Sequence, residues 1–330
     1  MVSLHAPAPS SESLSFRILD QQVVITCKEE WLRRVVGTLY GACIAPAQRR
    51  ADLDFLIEVD RSSGSFRLTS PNRPPLVVPQ VAELVFRLDK ALTIALQERR
   101  PDLLFLHAAA LERDGCAYVL VGESGHGKST TAWGLSYHGF RYLSDELGPV
   151  DLGSMSVEAY PHALCLKRRP PLPYRLPGAQ VLDLGATIHV PVSALPGGPA
   201  SAPCPLGAVL FVRYQDERCE SELRALGAAE AAARLYVSTL NPLAHPAQGI
   251  DAVLRVVRNV PCFSLDVADL ASACGLVSRL ALRMQPHAAA LASGRSADVR
   301  ETMKTVTLHR WRRRSSSARS LARAPGAPSR

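Results

Sequence analysis

Apolar residues along this chain come in short runs broken by Gly, Pro, Asn and Asp, with a few longer stretches of helical period. Residues 16–26 read as strand material, 29–43 as a short helix, and 51–59 and 65–69 as strands separated by the turn Ser62-Ser63-Gly64. Val81, Leu84, Val85, Leu88, Leu92, Ala95 and Leu96 recur at 3.6-residue spacing, which predicts an amphipathic helix that Pro101 stops. Residues 103–111 predict a strand, Asp114-Gly115 a turn, and 116–121 a buried strand that runs into a glycine-rich loop. A helix over 129–138 closed by Gly139 follows, then a strand over 140–144. Further on, the pattern predicts a strand at 208–214, an Ala-rich helix at 225–240, a helix at 248–258, a strand at 260–265 and a helix at 267–284 capped by Asp266.

Strands alternating with helices predict an α/β fold. The expected organisation is a disordered leader at 1–14, an N-terminal α/β segment with its helix at 15–100, and a main domain at 101–285. A disordered basic tail at 286–330 follows. Within the main domain, residues 168–205 hold nine of the 25 prolines and read as an irregular insertion.

With 47% hydrophobic and 21% charged residues, the chain has the apolar material for a core. Its net charge of +8 is local: residues 295–330 hold ten Arg or Lys against two acids, so the remainder is balanced. That placement and the 6% of aromatic residues argue against a nucleic-acid-binding body. The eight cysteines form no C-x-x-C pair and no zinc spacing, and they read as free thiols. No apolar run reaches the ~20 residues of a membrane span, and residues 1–15 lack the pattern of a signal peptide, so the expected location is the cytoplasm.

The chemistry centres on Gly122-Glu123-Ser124-Gly125-His126-Gly127-Lys128-Ser129, a match to G-x-x-x-x-G-K-[ST] with a predicted strand before it and a helix after it. Glycines let backbone N–H groups approach phosphate oxygens, and the helix start adds its positive end. Lys128 is expected on the β- and γ-phosphates of ATP, the Ser129 hydroxyl on Mg²⁺, and Thr130 beside the phosphates in the first helical turn. Asp145 lies 17 residues after Lys128, at the end of the next strand, where ligands gather in open α/β sheets. A carboxylate there can hold Mg²⁺ or accept the proton of an attacking hydroxyl, and Glu146 is a candidate second metal-side acid.

Three stretches together resemble the catalytic core of HPr kinase/phosphorylase: Leu106-His107-Ala108, residues 118–129, and residues 139–146 ending in Asp145-Glu146. That family resembles phosphoenolpyruvate carboxykinase in its nucleotide-binding fold. The resemblance implies that His107 is an active-site histidine, Lys128 and Ser129 are nucleotide and metal residues, and Asp145 is the base. Residues 260–265 and the helix after them also resemble HPr-kinase-related proteins of bacterial gene clusters, among them kinases that tailor lasso peptides. The acceptor so implied is a serine of a protein or ribosomally made peptide, and the family's habit implies a homo-oligomer. Thr130 stands where the bifunctional family has a glutamate, and the E-[IV]-R-G-[LI]-G-I signature is replaced by Tyr160-Pro161-His162-Ala163-Leu164-Cys165-Leu166-Lys167-Arg168-Arg169. The reverse, phosphorylase reaction therefore loses its sequence basis. Lys167 and Arg168 read either as a solvated basic turn or as cations for the transferring phosphoryl group. A small-molecule kinase and a nucleotide-binding regulator without transfer chemistry remain the alternatives.

Overall fold

A computed structural model of the chain describes residues 12–292 except 49, 179, 201, 216 and 218, and only the backbone of 285–292. The expected disorder of residues 1–11, and the part of the basic tail from 293 onward, lie outside the described residues.

The first sheet has five strands in chain order: β1 (Ser13–Ile18), β2 (Gln21–Cys27), β3 (Leu53–Val59), β4 (Phe66–Thr69) and β5 (Leu76–Val78). The run at 16–26 is thus a hairpin, not one strand, and Ser13 and Leu14 are sheet residues, not leader. The turn is made by Leu19 and Asp20 at φ of 47° and 65°. Helices α1 (Glu30–Tyr40) and α2 (Val81–Arg99) cover this sheet. On α2 the buried residues are Leu84, Val85, Leu88, Leu92, Ala95 and Leu96, the stripe that the 3.6-residue spacing predicts.

The expected strand over 103–111 breaks at His107 into β6 (Leu103–Leu106) and β7 (Ala108–Arg113). β8 (Cys116–Val121) is buried along its whole length and leads into the glycine loop and α3 (Lys128–Ser136). Next come β9 (Arg141–Ser144), β10 (Gly148–Asp151), β11 (Ser156–Val157) and β12 (Leu164–Leu166). The proline-rich segment is more regular than expected. Its β13 (Leu182–Asp183) and β14 (Ile188–Val190) form a three-stranded sheet in the order β12-β14-β13. The remaining elements are β15 (Cys204–Tyr214), β16 (Glu222–Ala225), α4 (Ala228–Val237), α5 (Ile250–Asn259), β17 (Cys262–Val267) and α6 (Leu270–Ala292).

The main sheet runs β9-β7-β8-β15-β17-β16, with β8, β15 and β17 parallel and the other pairings antiparallel. A wing of β6, β10 and β11 joins the start of β15. One face packs on α3 and α6, and the other on α4 and α5. α6 differs from its sequence reading at both ends. Asp266 belongs to β17 and pairs with Arg213 at 3.1 Å, whereas Asp269 accepts the Ser272 N–H at 2.8 Å and caps the helix. The helix also continues to Ala292, beyond the expected end at Met284.

Among the described residues, no helix is long and apolar enough to cross a membrane. All eight cysteines are free, and Cys27, Cys43, Cys116, Cys204, Cys262 and Cys274 are buried.

Candidate active site

The register of the main sheet gathers the candidate residues at one edge. β7 runs antiparallel to β8 with Ala108 opposite Val121, so His107 comes opposite Gly122. β7 is also antiparallel to β9, with Ala110 opposite Ser144, which brings Asp145 to the same edge. A buried Glu112 paired with Arg141 ties β7 to β9. β15, parallel to β8, continues past Val121 and runs beneath the loop.

There the strand and the loop are in close contact. The Tyr214 N–H donates to the His126 carbonyl at 3.1 Å. A Cβ on Gly122 would lie 2.5 Å from the Val212 carbonyl oxygen, so only glycine fits. Gly125 and Gly127 adopt φ of 89° and 90°, the left-handed region open to glycine, and turn the chain into α3. We expect Gly122→Ala to lower stability by about 1–3 kcal/mol through overpacking. The check is a reduced urea midpoint at constant m-value; an unchanged midpoint would contradict this packing.

α3 begins at Lys128 without a side-chain cap. As at any helix start, the N–H groups of its first turn have no partner within the helix, and no side chain caps them. Lys128 is buried, and its Nζ donates to the carbonyls of Gly122 at 2.8 Å and Glu123 at 3.2 Å. The same Nζ lies 3.0 Å from His107 Nε2. His107 Nδ1 faces Glu146, 3.2 Å from its carbonyl and 3.4 Å from its carboxylate. Burial, then the Lys128 charge, hold the imidazole below its ordinary pKa against the pull of Glu146. A neutral ring with its proton on Nδ1 satisfies both sides, because Nδ1–H donates to Glu146 and Nε2 accepts from Lys128. Burial also lowers the Lys128 ammonium, opposed by Glu146 and Asp145.

Asp145 has no exposed surface. Its Oδ1 accepts the Ser129 hydroxyl at 3.1 Å, and its Oδ2 accepts the Cys165 N–H at 3.2 Å. Burial and the neighbouring Glu146 charge push its carboxyl up to about 6, against His162, Ser129 and Cys165, which favour ionisation. Glu146, at a φ of 60°, turns its carboxylate outward with 38% of the side chain exposed. One acid is sealed and one is accessible.

Of the candidates named from the sequence, His107, Lys128, Ser129, Asp145 and Glu146 thus form one connected cluster. Ser124, Gly125 and His126 lie at the loop's open side, with Glu123 Oε2 at 3.7 Å from His126 Nε2. Thr130 sits half-exposed in the first turn of α3. Two participants escaped the sequence reading. The Cys165 N–H and the buried His162 approach Asp145 from β12 and its approach, and a backbone donor has no signature in a residue pattern.

The chain matches no protein-family model, and no curated protein matches it in sequence. Among solved structures it is similar to the Hpr(Ser) kinase/phosphatase from Coxiella burnetii. The identity is 13%, over 58% of this chain and 95% of that one, with a TM-score of 0.30.

Proposed function

We propose that this chain is an ATP-dependent kinase whose loop at 122–129 binds the nucleotide's phosphates and whose Asp145–Glu146 pair serves the transfer to a hydroxyl. The observation that carries this reading is the setting of Lys128. A buried ammonium rests on two loop carbonyls and a neutral imidazole, beside an uncapped helix start, with no carboxylate in direct contact among the described residues. That is an unneutralised cation held where an anion would complete it.

The donor set fits Mg²⁺. The Ser129 hydroxyl and the Asp145 carboxylate are hard oxygens held together at 3.1 Å. Among the described residues no three His, Cys, Asp or Glu side chains converge on a metal position, so phosphate oxygens and water would complete the shell. When bound, the ion would offset charge on the β- and γ-phosphates.

The chain's own residues do the rest. Lys128 and the first-turn N–H groups of α3 fix the phosphates. The γ-phosphorus bonds to the acceptor oxygen as its bond to the bridging oxygen breaks, and that electron pair stays on ADP. The acceptor's proton passes to the acid pair. His107 orients Glu146 through Nδ1 and Lys128 through Nε2.

The acceptor we propose is a serine of a protein or of a ribosomally made, lasso-type peptide, which rests on the family resemblance. The test is to offer ATP labelled at the γ-phosphate to a panel of serine peptides and small alcohols. We expect label in the peptide pool. Label in the alcohols alone would make the chain a small-molecule kinase. Nucleotide binding with label in neither pool would make it a regulator.

A further inference from the structure

The basic run Lys167-Arg168-Arg169 follows β12 directly, and the structure separates its members. Arg169 is engaged with Asp183 at 3.2 Å, so its charge is spent within the small sheet. Arg168 is exposed. Lys167 instead reaches across to the glycine loop, where its Nζ donates to the Ser124 hydroxyl at 2.5 Å. Its hydrogen-bond partner is a neutral group, and among the described residues no carboxylate lies within ion-pair distance of it.

The position is set by β12. Leu164 and Leu166 are buried in the core beneath α3, and they hold the strand against it. Between them Cys165 gives its N–H to Asp145. One short strand therefore anchors the buried acid and, two residues later, delivers a cation to the open side of the loop. Ser124 follows Gly122 and Glu123, whose carbonyls carry the Lys128 ammonium. In a loop of this kind the lysine marks the β- and γ-phosphate end. Lys167 meets the loop at Ser124, the residue that follows the two carbonyls holding the Lys128 ammonium, and so at that end of the loop.

Resting on the nucleotide-binding reading above, we propose that Lys167 is a second phosphate cation, which leaves the Ser124 hydroxyl to bind the non-bridging oxygens of the γ-phosphoryl group. It transfers no proton. It offsets the charge spread over those oxygens while the bond to ADP breaks and the bond to the acceptor forms. The Lys167 charge already lowers the proton affinity of both Lys128 and His107, as a neighbour in the same electrostatic site would.

The experiment compares ATP and ADP affinity by calorimetry, with Mg²⁺, in the full chain and in Lys167→Met, Lys167→Arg and Lys128→Ala. The exposed position lets methionine replace the stem without disturbing the core, and circular dichroism checks the fold. We expect Lys167→Met to weaken ATP about tenfold or more and ADP less than twofold. Lys167→Arg should restore most of the preference, and Lys128→Ala should weaken both nucleotides. An ATP-to-ADP ratio equal in the wild type and Lys167→Met would overturn the role of Lys167 and leave the loop assignment standing. If the unaltered chain bound neither nucleotide, the reading of the loop would fall and this inference with it.

Discussion

Replacing Lys128 with alanine is expected to cost about a hundredfold or more in ATP affinity. The side chain is 5% exposed, and its ammonium has three partners, all of them loop carbonyls or His107. A charge-assisted bond to phosphate is worth about 1.5–3 kcal/mol, and each 1.4 kcal/mol is a tenfold change in affinity. More than one such bond is available to an ammonium with three donors. The variant also leaves the Gly122 and Glu123 carbonyls without this donor, so a loss of about 1–3 kcal/mol in stability accompanies it. His107 should titrate at higher pH in the variant, because the Lys128 charge is one of the three causes that hold it down, with burial and the Lys167 charge. Calorimetric titration reads the affinity, and the imidazole proton resonances read the shift. ATP affinity equal to that of the wild type would remove the loop from the nucleotide site.

Replacing Asp145 with asparagine is expected to stabilise the metal-free, nucleotide-free protein at pH 8 while reducing phosphoryl transfer. The carboxyl titrates at about 6 in the fold and near 3.8 in the unfolded chain. Between those values the native state holds a proton that the unfolded state has released. Stability contributed by this group therefore falls as pH rises from about 4 to about 6, and is level above that. Asparagine does not titrate, yet it keeps the local bonds: its oxygen accepts the Cys165 N–H and its amide donates to the Ser129 hydroxyl. The variant should equal the wild type near pH 4 and exceed it by about 1–3 kcal/mol at pH 8. Transfer should fall by about 10²- to 10⁴-fold, the range of general base catalysis. Urea denaturation at the two pH values checks the first part, and label transfer the second. A variant less stable than the wild type at pH 8, or one with full transfer, would refute the role given to this acid.

The parts of this site legible in the sequence are those set by neighbouring residues. The apolar run Cys116–Val121, the glycines and the helix after them form locally, so their order along the chain is their order in space. The break at His107 is different. Leu103 to Leu111 is uniformly apolar apart from the histidine, and nothing in the run marks a change of partner. The change is imposed from elsewhere: β6 pairs with β10, β7 pairs with β8 and β9, and the His107 N–H goes to the Ser238 carbonyl. The hairpin at Leu19–Asp20 was hidden because a buried leucine, not a glycine, takes a left-handed conformation there. Asp266 had the residue type and position of a cap, but its pairing with Arg213 across β15 and β17 extends the strand, and Asp269 does the capping. The division between sealed Asp145 and open Glu146, and the reach of Lys167 to Ser124, depend on β12 folding back from 20 residues downstream. No local pattern encodes that return.

In the proposed kinase a nucleotide's phosphates sit on the loop between β8 and α3. Backbone amide resonances of the full chain, recorded as Mg–ATP is added, test this placement. The largest displacements should fall on Gly125, Gly127, Lys128, Ser129 and Thr130, saturating together, and should be absent in Lys128→Ala. Saturable displacements confined to amides elsewhere, with these five unmoved, would contradict it.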